Sequence, residues 1–219
     1  MPRLTIILVL ILSGLISGSF INLMTYRLPR NENWITGRSK CPSCQHQLSA
    51  CDLVPLIAPL LLLLAYMQAP YLDWAFWKLA IFYLVCLTIF FTDLETTIIP
   101  DELSLGLVGL GLGSRLITGG LLDGIWGAVV GFGVYFMIGV VSKLIYKKDA
   151  MGGGDIKLGA GIGAMWGLWM TVYTVYLSFI IGAIVGLFLI VCKQKARQDY
   201  IPFGPMIVVA AMMVLGFWY

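Results

Sequence analysis

The segment "WKLAIFYLVCLTIFFTDLETTIIPDELS", residues 77–104, contains the pattern that decides the fold. A nearly continuous apolar run ends at Thr92, and a second run begins after Pro100. Four acidic residues fall within ten positions around this junction: Asp93, Glu95, Asp101 and Glu102. Each carboxylate would cost about 3 kcal/mol at the centre of a bilayer, so the cluster belongs at a membrane interface or beside a water-filled cavity.

The composition of the whole chain is that of an integral membrane protein. Of its 219 residues, 60% are hydrophobic and only 11% are charged, and the mean hydropathy is +0.93. An ordinary soluble domain contains roughly 25% charged residues. The apolar runs are continuous and do not alternate with a period of two, which argues against a transmembrane β-barrel.

Working outward from the opening segment, we find eight apolar runs that predict membrane helices. They cover residues 4–24, 53–69, 75–92, 102–118, 122–142, 156–170, 172–192 and 203–218. Only "GLWMTVY", residues 167–173, separates the sixth run from the seventh, so an alternative with seven helices stays open. The predicted fold class is all-α: a polytopic membrane bundle of about eight transmembrane helices.

The chain is predicted to have three parts. Residues 1–24 form the first transmembrane helix, because the run reaches Met24 and lacks the small-residue cleavage site of a signal peptide. Residues 25–52 form a polar loop with a Cys-x-x-Cys pair, and residues 53–219 form a membrane-embedded core.

The basic residues predict the orientation, because lysine and arginine favour cytoplasmic loops. Eleven of the fourteen follow the odd-numbered spans, and three lie on or near the other side. Both termini are therefore expected on the side away from the cytoplasm. The loops at 25–52, 93–101, 143–156 and 193–202 are expected to face the cytoplasm.

Two aspartates meet the same membrane boundary in this topology. Asp93 ends the third span, where the helix dipole disfavours an anion. Asp155 follows three glycines at the start of the sixth span, and the two whole spans between them return the chain to one face. Two facing aspartates can share a proton, so that one activates water while the other protonates a carbonyl oxygen. The alternative is that these acids only stabilise the starts of helices. Asp155 would then be an N-cap, and Asp101 and Glu102 would lie in the first turn of the fourth helix.

Five motifs, in the same order, resemble those of the type IV prepilin peptidases, a family of intramembrane aspartic proteases with a Gly-x-Gly-Asp motif. The resemblance covers nearly the whole chain. The motifs are "GSFINLMTYRLPR" at 18–30, "CPSC" with "DLVPL" at 41–44 and 52–56, "DLETTIIPDELS" at 93–104, "GGGDIKL" at 152–158 and "IPFGP" at 201–205.

This resemblance implies an enzyme that removes the short basic leader from type IV prepilins or pseudopilins. It would act at the cytoplasmic face of a bacterial cytoplasmic membrane, in systems for pili, protein secretion or competence. Catalysis is expected from Asp93 and Asp155. Substrate binding or support is expected from five further residues: Gly152, Gly154, Lys157, Asp101 and Glu95. Proteolysis would need no cofactor. Many members of the family also methylate the new N-terminus with S-adenosylmethionine.

The first cytoplasmic loop departs from the family pattern. Longer members contain two Cys-x-x-Cys pairs, whereas this chain has Cys41 and Cys44, then only Cys51, with His46 nearby. Cys41 and Cys44 are candidate metal ligands, and the four residues together could hold zinc. An inert or relic cysteine pair is the alternative. The missing second pair puts methylation in doubt more than proteolysis.

A different class of protein, a small secondary transporter or channel, also places carboxylates in membranes. The acids here cluster at one face rather than at mid-bilayer, and matching half-repeats are not visible in the sequence, which favours the peptidase. The expected partners are prepilin precursors and the lipid bilayer, and no nucleic acid.

Overall fold

A computed structural model describes residues 3–28, 53–146, 151–192 and 202–218, and within these ranges the chain is helical with no strand. The eight helices are α1 (Arg3–Arg27), α2 (Val54–Gln68), α3 (Trp74–Thr96), α4 (Asp101–Thr118), α5 (Leu121–Tyr146), α6 (Gly153–Trp166), α7 (Leu168–Val191) and α8 (Gly204–Trp218). The predicted all-α membrane bundle of eight helices is confirmed.

The boundary between the sixth and seventh helices differs from its predicted position. The sequence placed the end of the sixth helix at residue 170, but α6 ends at Trp166 and Gly167 adopts a φ of 85°. This left-handed conformation interrupts the helix and is readily adopted only by glycine. The seven-helix alternative is therefore wrong for this chain.

Four of the described helices are long and apolar enough to cross a membrane: Arg3–Thr25, Trp74–Thr96, Leu121–Ile145 and Leu168–Val191. The helices α2 and α8 are apolar but have only 15 residues each. Large apolar side chains such as Ile16, Phe188 and Phe217 are exposed on the surface, as expected for residues that face lipid.

The chain divides into two compact units, Met1–Thr92 and Asp93–Tyr219, with the boundary inside α3. In the first unit, α1 packs on α2 through its glycines. A Cβ at Gly14 would lie 2.7 Å from the Pro59 nitrogen, and one at Gly18 would lie 2.6 Å from the Pro55 Cα. Small residues let helix backbones approach this closely in lipid.

In the second unit, α6 packs against both α4 and α5. Glycines bring the backbones together: a Cβ at Gly127 or Gly131 would clash with the carbonyl oxygens of Gly163 and Gly159. A Cβ at Gly111 would lie 2.6 Å from the Met165 nitrogen. The short helix α6 is therefore enclosed by its neighbours, and Asp155 near its start is buried.

A polar cluster formed by Arg115, Asp123 and the backbone around Gly167 holds the other end of α6. The Arg115 guanidinium pairs with Asp123 Oδ2 at 2.7 Å, and the Leu168 N–H donates to Asp123 Oδ1 at 3.0 Å. Asp123 thus satisfies a free donor at the start of α7. The last turn of α4 and the first turn of α5 are tied in this way to the junction between α6 and α7.

Candidate active site

Asp93 lies in the last turn of α3, and it is only 2% exposed. The Gly204 N–H, from the first residue of α8, donates a hydrogen bond to Asp93 Oδ2 at 3.0 Å. Three residues beyond the aspartate, α3 ends, and Thr97 adopts a φ of 55°. The prediction that Asp93 ends the third helix is met to within one turn.

Asp155 is the third residue of α6 and is 3% exposed. The residue that caps the helix is Gly152, so the alternative of Asp155 as the N-cap is wrong by three positions. The Gly152 N–H donates to Asp155 Oδ2 at 3.1 Å, and the Asp155 N–H donates to the Gly152 oxygen at 3.2 Å. Asp155 Oδ1 is buried and has no hydrogen-bond partner within the described part of the chain.

Ile99 links the surroundings of the two aspartates. A Cβ at Gly154 would lie 2.7 Å from Ile99 Cβ, and a Cβ at Gly204 would lie 3.0 Å from Ile99 Cδ1 and 2.6 Å from Asp93 Oδ2. Ile99 therefore lies beside both Gly154, which precedes Asp155, and Gly204, whose N–H binds Asp93. The structure thus brings together the two aspartates that topology placed at one face.

This arrangement has the parts that acid–base cleavage of an amide requires. Two neighbouring carboxyl groups out of water resist holding two negative charges, so a single proton shared between them is the favoured state. One group is then an acceptor for a proton from water, and the other is a donor toward a carbonyl oxygen. The unpartnered Oδ1 of Asp155 is an atom available for such an exchange.

The other predicted site residues lie at the edge of this pair. Asp101 opens α4, and both its carboxylate oxygens accept hydrogen bonds from Lys157 Nζ, at 2.6 and 2.7 Å. This ion pair joins the start of α4 to α6, two residues beyond Asp155. Glu95 and Glu102 are exposed, on the last turn of α3 and the first turn of α4.

The predicted metal ligands Cys41 and Cys44 lie outside the described residues, as do His46 and Cys51. Among the residues that the structure does describe, no group of three metal-binding side chains comes together.

Sequence reasoning missed Gly204 and Ile99 as parts of the site. Gly204 lies in the motif "IPFGP", and no local pattern in it indicates that the backbone at 204 meets a side chain 111 positions earlier. Ile99 is the second residue of the apolar pair before Pro100, and such a pair is typical of any segment that leads into a membrane helix.

Comparison with known proteins assigns the family. The model of the type IV leader peptidase family matches residues 80–187, and that of the bacterial peptidase A24 N-terminal domain matches residues 12–64. A prepilin leader peptidase/N-methyltransferase from Escherichia coli (strain K12) is 31% identical, over 94% of this chain and 94% of that protein. This chain belongs to the type IV leader peptidase family.

Other similar members of the type IV leader peptidase family carry the same name. The protein from Stutzerimonas stutzeri is 29% identical over 97% of this chain and 91% of its own length. The one from Aeromonas salmonicida is 30% identical over 93% and 88%. No solved structure matches the chain. The chain is thus a membrane peptidase, and the transporter alternative has no support among these relatives.

Proposed function

We propose that this peptidase cleaves the basic leader from type IV prepilin or pseudopilin precursors at the cytoplasmic face of the membrane, with Asp93 and Asp155 as its catalytic residues. The observation on which the proposal rests is that these two buried carboxyl groups share one site, with Asp155 Oδ1 unpartnered in the described part of the chain. The relatives' names supply the substrate class.

The proposed reaction uses one proton shared by the pair. One aspartate takes a proton from water as the water oxygen attacks the peptide carbonyl carbon, and the other gives its proton to the carbonyl oxygen. When the carbon–nitrogen bond breaks, the first returns its proton to the leaving amine. The second recovers a proton from the tetrahedral hydroxyl, so the pair ends as it began.

Charge and topology support a substrate with a basic leader and an apolar helix. The exposed carboxylates of Glu95 and Glu102 flank the segment between α3 and α4 and would attract a positive leader. The substrate helix would lie in lipid, with its cleavage site at the level of the two aspartates. The proposal has the active site near the cytoplasmic face and both termini outside, the orientation that the basic loops favour.

The supporting residues act on the geometry of the pair. Gly152 caps α6 and anchors Asp155 Oδ2, while Gly154 leaves the space that Ile99 occupies. The ion pair between Lys157 and Asp101 ties α4 to α6 beside the site. We assign these residues to positioning rather than to proton transfer.

Methylation of the new N-terminus with S-adenosylmethionine stays a prediction. The cavities described beside α5, α7 and α8 are lined mainly by apolar side chains, with Ser142, Tyr173 and Tyr176 as polar exceptions and no charged group, which is a poor fit for a ligand with charged and hydrogen-bonding groups. No step of the proposed reaction uses it. Labelled S-adenosylmethionine and cleaved pilin would test it: label on the pilin N-terminus supports methylation, and cleavage without label contradicts it.

Cys41 and Cys44 stay candidate zinc ligands, and the proposed cleavage does not depend on them. The double variant Cys41→Ser with Cys44→Ser should keep most of the proteolysis. Metal analysis of the purified protein should find less than one zinc per chain.

The proposed function is tested by cleavage of a co-expressed prepilin. Asp93→Asn and Asp155→Asn should each abolish cleavage, because asparagine can neither carry the shared proton nor accept one. Asp93→Glu should also fail, because an added methylene displaces the carboxylate by about 1 Å, which costs on the order of a hundredfold.

Glu102→Gln is the matched control, since it neutralises an exposed carboxylate at a helix start and should keep measurable cleavage. Protein levels in the membrane should be similar for all variants. Cleavage at the wild-type rate by either asparagine variant would show that the catalytic pair is misassigned.

A further inference from the structure

Gly204 contacts a candidate catalytic carboxylate although it lies far from it in sequence. It is the first residue of α8, it is buried, and its N–H donates to Asp93 Oδ2 at 3.0 Å. The segment that matches the type IV leader peptidase model ends at residue 187, before this glycine.

The space around Gly204 has no room for a side chain. A Cβ at this position would lie 2.6 Å from Asp93 Oδ2 and 3.1 Å from Asp93 Cγ, and it would also touch Ile99. A carbon and an oxygen that are not bonded do not approach to 2.6 Å without displacement. Glycine therefore lets the backbone come close enough to hydrogen-bond the carboxylate without pushing it away.

The position of the Gly204 backbone is fixed by its neighbour, Phe203. The ring of Phe203 packs on those of Tyr135 and Phe179, with centroid separations of 6.4 and 5.2 Å. A Cβ at Gly182 would lie 2.8 Å from the same ring, so α7 offers a close-fitting surface there. The Tyr135 hydroxyl is itself held by Ser178 at 3.0 Å. This aromatic cluster of Tyr135, Phe179 and Phe203 fixes where α8 begins.

The contact also matters electrostatically. Asp93 lies at the C-terminal end of α3, where the helix dipole opposes a negative charge. Gly204 brings the N-terminal end of α8, whose dipole and free N–H favour a negative charge. The α8 terminus therefore offsets the unfavourable position of Asp93 and fixes the direction of one carboxylate oxygen.

We propose that Gly204 is a positioning residue for peptide-bond cleavage, which orients Asp93 through its N–H and its lack of a side chain. This inference rests on the proposed role of Asp93 in catalysis. Gly204 needs no contact with the substrate for this role.

Gly204→Ala tests the proposal, with Gly216→Ala as the matched control on the same helix, because nothing lies within 4 Å of a Cβ at 216. We expect kcat for prepilin cleavage to fall about a hundredfold in Gly204→Ala, because the carboxylate is displaced by an amount close to 1 Å. KM should stay within about threefold of the wild-type value, since the substrate contacts are kept, and alanine at 216 should change neither constant. A wild-type kcat in Gly204→Ala would overturn the proposal, and so would a loss confined to KM.

Phe203→Leu covers the case in which alanine at 204 prevents folding. Leucine removes the ring that fixes the start of α8 but adds no atom near Asp93, and Phe132→Leu, on the exposed ring pair of α5, is its control. We expect kcat to fall about tenfold in Phe203→Leu and to stay unchanged in the control, on the same positional argument. An unchanged kcat in Phe203→Leu would overturn the proposal.

An infrared measurement separates this proposal from the proposed function. The difference spectrum between the wild type and Asp93→Asn isolates the carboxyl bands of Asp93. These bands should shift in Gly204→Ala and stay in place in Gly216→Ala, whether or not the protein cleaves prepilin. Unshifted bands contradict the positioning role even if prepilin is cleaved, whereas shifted bands without prepilin cleavage contradict only the proposed function.

Discussion

At the scale of single residues, the carboxyl group of Asp155 has a structural contact on one oxygen and a proposed catalytic task on the other. Its Oδ2 accepts the Gly152 N–H and completes the start of α6, while its Oδ1 is buried without a partner in the described residues. The helix start therefore holds the group in one orientation, and the second oxygen is left for chemistry. The structural role and the proposed catalytic role are compatible because they use different atoms.

This division predicts that two substitutions at 155 will differ in stability but not in activity. Asparagine keeps an oxygen that can accept the Gly152 N–H, so Asp155→Asn should lose cleavage with little change in stability. Asp155→Ala should lose cleavage and also about 0.5–2 kcal/mol of stability, the usual cost of removing a capping group. Thermal unfolding in detergent measures the difference. Equal unfolding temperatures for the two variants would argue against the capping role.

The residue scale also shows what the sequence could predict. Asp93 and Asp155 were identifiable because a carboxylate beside an apolar run is costly and needs a reason. Gly204 was not, because its contribution is a backbone N–H, which every residue except proline possesses. The ion pair between Lys157 and Asp101 links two helices, and their spacing of 56 residues gives no sign of contact.

At the scale of helices, α6 is held at both ends. Its start is tied to α4 by the ion pair between Lys157 and Asp101, and its end is tied to α4 and α5 by the cluster of Arg115, Asp123 and Gly167. Between these points, glycines on α5 bring the backbones into contact. Asp155 is thus carried by a helix with little freedom to slide or rotate.

The junction between α6 and α7 should lose stability if Gly167 is replaced even by alanine. Gly167→Ala places a Cβ against the Asp123 carboxylate and demands a φ of 85° from alanine, so we expect a loss of roughly 1–3 kcal/mol. Gly113→Ala is the control, because a Cβ there meets nothing within 4 Å and alanine favours a helix. Thermal unfolding of the two variants tests this. Equal stability would show that the cluster does not hold the end of α6.

The number of helices could be predicted because each apolar run is long and continuous. The end of α6 could not, because "GLWMTVY" is itself apolar and Gly167 breaks the helix through its backbone angle and through Asp123, which lies 44 positions earlier.

At the scale of the whole molecule, the orientation in the membrane is predicted from the basic residues and can be tested directly. In a cysteine-free background, Asn33→Cys and Gln198→Cys should resist an impermeant thiol reagent in intact cells, because lysine- and arginine-rich loops stay in the cytoplasm. Gly120→Cys, between α4 and α5, should react. The reverse labelling would place the two aspartates on the side away from prepilin leaders.

The shortness of α6 and α8 has a consequence for the surrounding lipid. With 14 and 15 residues, at 1.5 Å per residue, they reach only about 21 and 22 Å, whereas a hydrocarbon core is about 30 Å thick. Both helices begin beside the paired aspartates. Such hydrophobic mismatch is relieved by local thinning of the bilayer, which would draw water and the polar leader toward the scissile bond. We therefore expect cleavage in reconstituted vesicles to slow as the lipid acyl chains are lengthened. The same protein in detergent has no bilayer to thin, so its cleavage rate serves as the control for enzyme activity. A rate independent of chain length would mean that the protein, rather than the membrane, opens the path to the aspartates.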